Sequence, residues 1–259
     1  MSTTTFDSYV ICTSPRSGST LLCRLLAATG VSGNPESYFH EPSVSSWQTE
    51  LDLSPNPSAS EFEVLRDVFR AAIAQGSLDT GMFGLRLQRH SFDFFTTKLA
   101  VLYPDIATDR ARFEAAFGRT QFLHLTRDDK VEQAVSYIKA QQSGLWHQAP
   151  DGTELERLSE PQELRYDRDQ IQKEIDEMMA MDAAWIDWFA GEDIEPFRVT
   201  YKALSADPVG VLQSVLVRLG LDPDTASGVE PGTAKLFDRT NHEWVTRFRA
   251  EQDGVAANG

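Results

Sequence analysis

A turn of small and polar residues follows the first apolar segment of the chain and has the composition of an anion-binding loop. The segment SYVICTS, residues 8–14, is typical of a short strand, and a helical pattern ending near Gly30 follows the turn. Amide groups and the positive dipole end at a helix N-terminus bind anions. The candidate ligands are Ser14, Pro15, Arg16, Ser17, Gly18, Ser19 and Thr20. The simpler alternative is a capped helix whose loop binds nothing.

Residue spacing tests two kinds of phosphate chemistry at this turn. A Walker A loop has the pattern G-x-x-x-x-G-K-[ST], and alignment on Gly18 places Thr13 at the first glycine and Ser19 at the lysine. The missing lysine argues against an NTPase. A cysteine phosphatase needs a thiolate at one end of its phosphate loop, but Cys12 lies inside the apolar segment. We therefore interpret Cys12 and Cys23 as packing residues.

A second basic residue follows another apolar segment. TQFLHLT, residues 120–126, is the clearest strand in the middle of the chain, and Arg127 comes directly after it. Ser136 lies on the helix predicted over about residues 129–142, so Arg127 and Ser136 form a second candidate phosphate clamp. Asp128 keeps open the alternative of an Mg²⁺-binding aspartate, as in P-loop NTPases. Taken alone, Arg127 is equally well explained by a surface ion pair.

The loop after the first helix combines polar and aromatic side chains in a way that suits a neutral sugar. Carboxylates, amides and imidazole can hydrogen-bond to hydroxyl groups, while aromatic rings pack against sugar rings. The simpler alternative is an ordered connector with surface carboxylates, and an isolated His40 is more often structural than catalytic. The candidate residues are Gly33, Asn34, Pro35, Glu36, Ser37, Tyr38, Phe39, His40, Glu41, Trp47 and Gln48.

Composition and charge exclude several other functions. No His, Cys and Asp cluster has the spacing of a metal site, and there is no Gly-x-Ser-x-Gly elbow of a serine hydrolase. The formal net charge of −15 argues against general nucleic-acid binding. Residues 151–195 hold 15 acidic and 4 basic residues, which we interpret mainly as the solvated face of a helix. With two cysteines, no membrane-length apolar run and no secretion signal, we expect a cytoplasmic protein with reduced thiols.

The elements that must position these residues alternate between strand and helix. Strands are also predicted at residues 81–88 and 195–201, and residues 31–58 and 143–165 are predicted as irregular. Further helices are predicted after a capping box at Ser60 and Glu63, over 91–103, over 167–190 and after the Asp207-Pro208 cap. This order predicts an α/β fold with a mostly parallel sheet flanked by helices, whose ligands bind beyond the C-terminal strand ends.

The whole chain is expected to form one domain. The predicted domain spans residues 1–259, with a short flexible N-terminus over about 1–7 and a C-terminal tail over about 252–259.

The two basic sites together resemble one family. SPRSGSTLL is similar to the 5′-phosphosulfate loop of sulfotransferases that use PAPS, 3′-phosphoadenosine 5′-phosphosulfate, and TRDDKVEQAVSY is similar to their 3′-phosphate motif. GNPESYFHEP, RDDKVEQAVSYIKAQQSGLWH, TYKALSADP and RTNHEWVTRFRAE resemble more closely the small bacterial group that includes trehalose 2-sulfotransferase. The resemblance runs from residue 9 to about residue 251, and it implies a P-loop-like sulfotransferase fold.

Two residues depart from the animal branch of this family. Cytosolic animal sulfotransferases usually have lysine where this chain has Arg16, and arginine is a poorer proton donor because its pKa exceeds ~12. The animal 3′-phosphate motif has serine at the position of Val135, whereas the hydroxyl here is Ser136.

The resemblance implies a reaction and a set of roles. The expected reaction is in-line transfer of the PAPS sulfuryl group to a carbohydrate hydroxyl, most specifically the 2-hydroxyl of trehalose, without a metal. Glu36 matches the carboxylate base of the bacterial group, and His40 is kept as an alternative because the animal branch uses histidine. The segment around Arg239 to Arg247, with Arg239 and Trp244 as candidate ligands, is implied to close over the nucleotide, and the simpler alternative is that Trp244 and Phe248 are core residues. A homodimer is also implied. A P-loop-like kinase or NTPase, or a non-catalytic nucleotide-binding module, remains open.

Overall fold

The strands of the chain form one parallel sheet and one small hairpin. The computed structural model describes residues 5–232 and 236–256, with no side-chain description for residues 255 and 256. The strands are β1 (Ser8–Thr13), β2 (Phe83–Gln88), β3 (Thr120–Thr126), β4 (Leu145–Gln148), β5 (Glu154–Arg157) and β6 (Phe197–Thr200). The four-stranded sheet has the order β2-β1-β3-β6 and all its pairs are parallel, whereas β4 and β5 pair antiparallel. The predicted α/β fold with a mostly parallel sheet is therefore confirmed.

Ten α-helices connect and flank these strands in the described part of the chain. They are α1 (Ser19–Ala28), α2 (Val44–Glu50), α3 (Glu61–Ser77), α4 (Arg89–Leu102), α5 (Asp109–Phe117), α6 (Lys130–Ser143), α7 (Arg168–Gly191), α8 (Tyr201–Ala206), α9 (Pro208–Leu219) and α10 (Arg239–Ala256). A short 3-10 helix spans Pro223–Ala226. None of the described helices is long and apolar enough to cross a membrane.

Strand β1 is buried on both faces because the sheet separates two apolar cores. Val10 and Cys12 face an aromatic core formed with α3, α4 and α7, while Tyr9 and Ile11 face a second core against α1 and α9. This arrangement explains why SYVICT is a continuous apolar run with few polar positions. Cys12 and Cys23 are buried packing residues, as predicted, and burial raises the pKa of the Cys23 thiol to about 12.

Local sequence signals confirm two predicted helix starts. The Ser60 hydroxyl accepts from the Glu63 amide and the Glu63 carboxylate accepts from the Ser60 amide, which completes the predicted capping box of α3. The Asp207 carboxylate accepts from the Gly210 amide at the start of α9, with Pro208 at the first helical position. Both caps satisfy amide groups that a helix N-terminus otherwise leaves without partners.

Two segments that are predicted as irregular contain regular structure. α2 lies within residues 31–58, and the β4–β5 hairpin lies within residues 143–165, so both predictions of irregular structure are wrong in part. α2 has seven residues, too few to show a helical period, and every residue of β5 is exposed, so β5 has no apolar alternation. α10 reaches Ala256 and so continues into the segment predicted as a C-terminal tail; residues 1–4 and 257–259 lie outside the described residues.

Candidate active site

A cavity of about 510 Å³ lies beyond the C-terminal ends of the central strands. This is where ligands bind in open parallel sheets, and the volume is in the usual range for small-molecule pockets. Its wall comes from the turn after β1, the loop after α1, β2, the start of α4, the residues after β3 and β6, α6 and the hairpin. The lining residues include Pro15, Arg16, Gly18, Ser19, Thr20, His40, Arg86, Gln88, His90, Arg127, Ser136, Trp146, His147, Glu156 and Tyr201.

The turn after β1 takes an unusual backbone conformation. Arg16 has a φ of 59° and Gly18 a φ of 90°, both in the left-handed region. A Cβ on Gly18 would lie 2.6 Å from Cδ2 of Tyr201, so the ring can pack here only against glycine. Gly18 caps α1 without any side-chain hydrogen bond. Glycine has no side chain that could accept from the amide groups of the first turn, so this helix start can receive an anion.

The predicted hydroxyl ligands divide into two groups. Ser14 and Ser17 are fully buried: the Ser14 hydroxyl donates to Asp182 over 3.0 Å, and the Ser17 hydroxyl bonds to that of Thr13 over 2.5 Å. These two serines hold the shape of the turn. Ser19 and Thr20, in contrast, line the cavity.

Arg16 lines the cavity and connects the turn after β1 to α6 and to β4. Its Nε donates to the Ser136 hydroxyl over 3.1 Å, and its Nη1 donates to the Trp146 carbonyl over 2.7 Å. Burial, followed by repulsion from Arg127, lowers the pKa of Arg16 to about 10. The guanidinium is therefore still charged at neutral pH, and it is poorly hydrated, which strengthens its attraction for an anion.

Arg127 is buried at the end of β3 with part of its hydrogen-bonding capacity unused. Its Nη2 donates to Glu132 over 2.8 Å, and its guanidinium carbon lies 4.4 Å from the centre of the Tyr201 ring. Its Nε has no hydrogen-bond partner among the described residues. A surface ion pair does not describe Arg127, since only 6% of its side chain is exposed.

Neighbouring positions on α6 settle which residue faces the cavity. Val135 is fully buried in the apolar cluster between α6, α7 and α10, whereas Ser136 lines the cavity. The hydroxyl one position after Val135 is therefore the one that can meet a ligand together with Arg127.

The acceptor loop is joined to the edge of the sheet. Glu36 forms an isolated parallel bridge with Leu85, and its carbonyl accepts from the Arg86 amide over 3.0 Å. The Glu36 carboxylate is half exposed, with Oε2 lying 3.7 Å from Nη2 of Arg86. His40 lines the cavity, and burial, followed by the neighbouring His90, lowers its pKa.

Several other predicted sugar ligands have structural contacts instead. Phe39 and Trp47 are buried in the aromatic core with ring centres 4.9 Å apart, and the Tyr38 hydroxyl donates to the Asn34 carbonyl over 2.7 Å. Burial raises the pKa of the Tyr38 hydroxyl above its usual range. The structure therefore brings His40 to the cavity and Glu36 and Ser37 to Arg86, but it packs these aromatic rings into the core.

The remaining loop residues lie at its two ends. A Cβ on Gly33 would lie 2.2 Å from the Met82 carbonyl oxygen, and one on Gly84 would lie 2.9 Å from Pro35 Cβ, so the loop entry packs tightly on β2. Glu41 is exposed and Gln48 half-buried on α2.

The C-terminal helix places its two predicted nucleotide ligands apart from the cavity wall. The Arg239 side chain is 91% exposed and pairs with Glu243 over 2.7 Å, while Trp244 is buried and makes an edge contact with Tyr166. Leu236 and Phe237, just before this helix, do line the cavity. Residues 233–235 lie outside the described residues.

Sequence reasoning missed several residues of the cavity wall, among them Arg86, Tyr201, Trp146 and His147. Arg86 interrupts the apolar strand FGLRLQ, and a charged residue inside a buried strand is a usable signal for it. Tyr201 directly follows β6, a position at which ligands are expected in parallel sheets. Trp146 and His147 come from a hairpin that has no apolar period and could not be placed over the site from sequence.

The ring of His147, on β4, contacts the first turn of α1 and is neutral at neutral pH. Its Nε2 lies 3.0 Å from the Thr20 hydroxyl and 3.3 Å from a Glu156 carboxylate oxygen. Burial, followed by the charges of Arg16 and Arg86, lowers the pKa of His147 to about 3. Among the described residues, no group of three or more His, Cys, Asp or Glu side chains could hold a metal ion.

Comparison with known proteins agrees with the resemblance of the motifs. The profile of the Stf0 sulphotransferase family matches residues 8–251. The chain is 28% identical to trehalose 2-sulfotransferase of Mycolicibacterium smegmatis, over 96% of this chain and 97% of that protein. It is 29% identical to trehalose 2-sulfotransferase of Mycobacterium tuberculosis, over 94% of each protein.

Two solved structures also align with the chain. A sulfotransferase from Alicyclobacillus acidocaldarius aligns with a TM-score of 0.45 and 14% identity, over 94% of this chain and 91% of that one. The sulfotransferase domain of the Synechococcus PCC 7002 olefin synthase aligns with a TM-score of 0.41 and 16% identity, over 93% and 94%. Because the family profile covers most of the sequence, the protein belongs to the Stf0 sulphotransferase family of transferase enzymes.

Proposed function

We propose that this protein transfers the sulfuryl group of PAPS to the 2-hydroxyl of trehalose. The observation that carries the donor assignment is that Arg16 and Arg127 line one cavity together with the first turn of α1. A donor with two anionic ends needs a positively charged group at each end. One guanidinium group can donate two hydrogen bonds at once to the oxygens of a phosphate or sulfate. The acceptor assignment rests on the two trehalose 2-sulfotransferases that are similar over nearly the whole chain.

The cavity residues fit the two ends of PAPS. Arg127 has an Nε without a hydrogen-bond partner among the described residues, and Ser136 lines the same cavity, so this pair would hold the 3′-phosphate. The turn around Gly18, with Arg16, Ser19 and Thr20, would hold the 5′-phosphosulfate. When bound, PAPS would supply the sulfuryl group that is attached to its 5′-phosphate. The 5′-phosphate would then leave as part of adenosine 3′,5′-bisphosphate.

The reaction needs a proton acceptor and positive charge on opposite sides of the transferring group. Glu36 is half exposed and lies 3.7 Å from Arg86, which lines the cavity, and it would take the proton of the sugar hydroxyl. A carboxylate is a weak base for a sugar hydroxyl, so it would accept that proton late, as the oxygen–sulfur bond forms and acidifies the hydroxyl. Arg16 stabilises the charge that develops on the sulfuryl and bridging oxygens. His40, which also lines the cavity, is the alternative base.

The assembly that we propose is one domain per chain and two chains per molecule. The single domain follows from one sheet whose two faces are both covered by helices. The proposed homodimer rests on the family resemblance, and a measurement of the oligomeric state in solution tests it.

One assay tests this function against its alternatives. Purified protein is incubated with sulfur-labelled PAPS and a panel of sugars and glycolipids, without added metal. Labelled trehalose 2-sulfate as the main product is expected. Transfer of phosphate from ATP with an Mg²⁺ requirement would instead indicate a kinase, and tight nucleotide binding without turnover of any acceptor would indicate a binding module.

A further inference from the structure

Arg86 joins the acceptor loop to the helix start that would bind the sulfuryl donor. It lies in the middle of β2, beside Ile11 of β1, with 15% of its side chain exposed. Its Nε donates to the Ser37 hydroxyl over 2.6 Å, and its Nη1 donates to the Thr20 hydroxyl over 2.8 Å. One guanidinium group therefore touches both the loop that carries Glu36 and the first turn of α1.

The backbone of Arg86 also binds this loop. Its amide donates to the Glu36 carbonyl over 3.0 Å, and Glu36 bridges to Leu85 as if it extended the sheet. Both the main chain and the side chain of Arg86 therefore restrict Glu36 relative to β2. A fork of rigid N–H groups suits such multiple contacts, whereas a lysine ammonium is a single point charge on a flexible stem.

The distance between Arg86 and Glu36 leaves the carboxylate able to accept a proton. Nη2 of Arg86 and Oε2 of Glu36 lie 3.7 Å apart, which is an ion-pair distance and too long for a hydrogen bond. The charge of Arg86 attracts the carboxylate, but the oxygen lone pairs stay available for a proton. Thr20 is held more firmly, because its hydroxyl contacts both Arg86 and His147.

We propose that Arg86 is a positioning residue that fixes Glu36 relative to the turn that binds the sulfuryl donor. This inference rests on the proposed function, in which Glu36 is the base. Transfer between a sugar hydroxyl and a sulfuryl group depends on the alignment of the two, and a displacement of about 1 Å can cost on the order of 10²-fold in rate. Arg86 acts through Glu36 and Thr20 and supplies no proton itself.

A double-mutant cycle on turnover is the main test. The variants are Arg86→Gln, Glu36→Gln and their combination, with Arg86→Lys as the conservative change. Arg86→Gln should lower kcat on the order of 10²-fold while the Kd for adenosine 3′,5′-bisphosphate changes little. The double variant should be about as slow as Glu36→Gln alone, because a positioning residue has no effect once the base is gone. Arg86→Lys should recover only part of kcat.

The matched control is Arg112→Gln. Arg112 has 17% of its side chain exposed and pairs with Asp109 over 2.9 Å on α5, so it is buried and paired much as Arg86 is. Its loss should leave kcat unchanged. An equal loss of kcat in Arg112→Gln, or losses that multiply in the double variant, would overturn the positioning role.

A measurement without turnover separates this inference from the proposed function. Hydrogen exchange of the amides in residues 34–40 should be faster in Arg86→Gln than in the wild type, and unchanged in Arg112→Gln. Unchanged exchange in Arg86→Gln contradicts the positioning role whatever the reaction proves to be. If exchange increases but Glu36→Gln keeps full turnover, Arg86 does position the loop and the assignment of Glu36 as the base is wrong.

Discussion

The Nε of Arg16 donates a hydrogen bond to the hydroxyl of Ser136 over 3.1 Å. This bond connects the turn after β1 to α6, two segments that the sequence presents as separate anion sites. Arg127 adds a weaker contact of 3.4 Å from its Nη1 to the Arg16 carbonyl. The two sites are therefore neighbouring parts of one cavity, which supports the proposal of a single donor with two anionic ends.

Replacement of Arg127 by alanine should remove the preference for ligands with a 3′-phosphate. The loss of charge-assisted hydrogen bonds should weaken adenosine 3′,5′-bisphosphate by ~1.5–3 kcal/mol and hardly affect 5′-AMP. Calorimetric titration with both ligands measures the difference. Arg70→Ala is the control, because Arg70 is 73% exposed on α3 and pairs with Asp67. Equal weakening of both ligands by Arg127→Ala would show that the 3′-phosphate binds elsewhere.

Arg16 should make anion binding sensitive to alkaline pH. With a pKa of about 10, Arg16 is protonated at neutral pH and loses its charge as the pH rises through that value. Affinity for adenosine 3′,5′-bisphosphate should therefore be constant from about pH 7 to 9 and fall above that range. In Arg127→Ala the fall should move to higher pH, because one cause of the lowered pKa is removed. An unchanged midpoint in that variant would contradict the coupling.

Arg16 should also govern turnover. Its charge lies where we propose that the sulfuryl group transfers, so Arg16→Ala should depress kcat more than it weakens adenosine 3′,5′-bisphosphate. Steady-state kinetics and calorimetry on the same variant separate the two effects. A variant that binds poorly but turns over normally at saturation would show that Arg16 is a binding residue alone.

The buried His124 should make the fold less stable in acid. Burial lowers the pKa of His124 to about 4 from the usual 6.5. Neither ring nitrogen has a hydrogen-bond partner among the described residues. Between these values the unfolded chain binds more protons than the folded protein, so the free energy of unfolding rises with pH in this window and His124 adds no slope above it.

Denaturant unfolding of His124→Leu at several pH values tests this contribution. The variant should show a smaller change in the free energy of unfolding between about pH 4 and 6.5, because the group that takes up a proton on unfolding is gone. It should also avoid burying an unsatisfied polar ring, a cost of ~1–3 kcal/mol. A slope as steep as in the wild type would contradict the role of His124.

Adenosine 3′,5′-bisphosphate should bind at least as well in EDTA as in Mg²⁺. In the proposed site the phosphate charges are balanced by Arg16 and Arg127, and this requires no divalent ion. Calorimetry under both conditions measures the affinities. An absolute Mg²⁺ requirement would contradict the proposed mode of binding.

Local sequence patterns predicted the elements better than they predicted the contacts between them. TQFLHLT is a strand over the predicted residues because a buried parallel strand is apolar throughout, and the Ser60 capping box depends only on residues three apart. Phe39 and Trp47 are predicted as sugar ligands because aromatic rings in a polar loop can pack against sugar rings, but tertiary packing places them in the core. Arg86 and His147 join the cavity through strand pairing and a hairpin that no local pattern shows.

The turnover of Glu36→Gln tests the central claim most directly. The substitution keeps the shape of the side chain and removes its basicity, so the rate of sulfuryl transfer from PAPS to trehalose should fall on the order of 10²–10⁴-fold. Affinity for the donor should stay nearly unchanged, and His40→Gln should cost much less. If Glu36→Gln retains most of its turnover while His40→Gln loses it, the proposed base and the mechanism built on it are wrong.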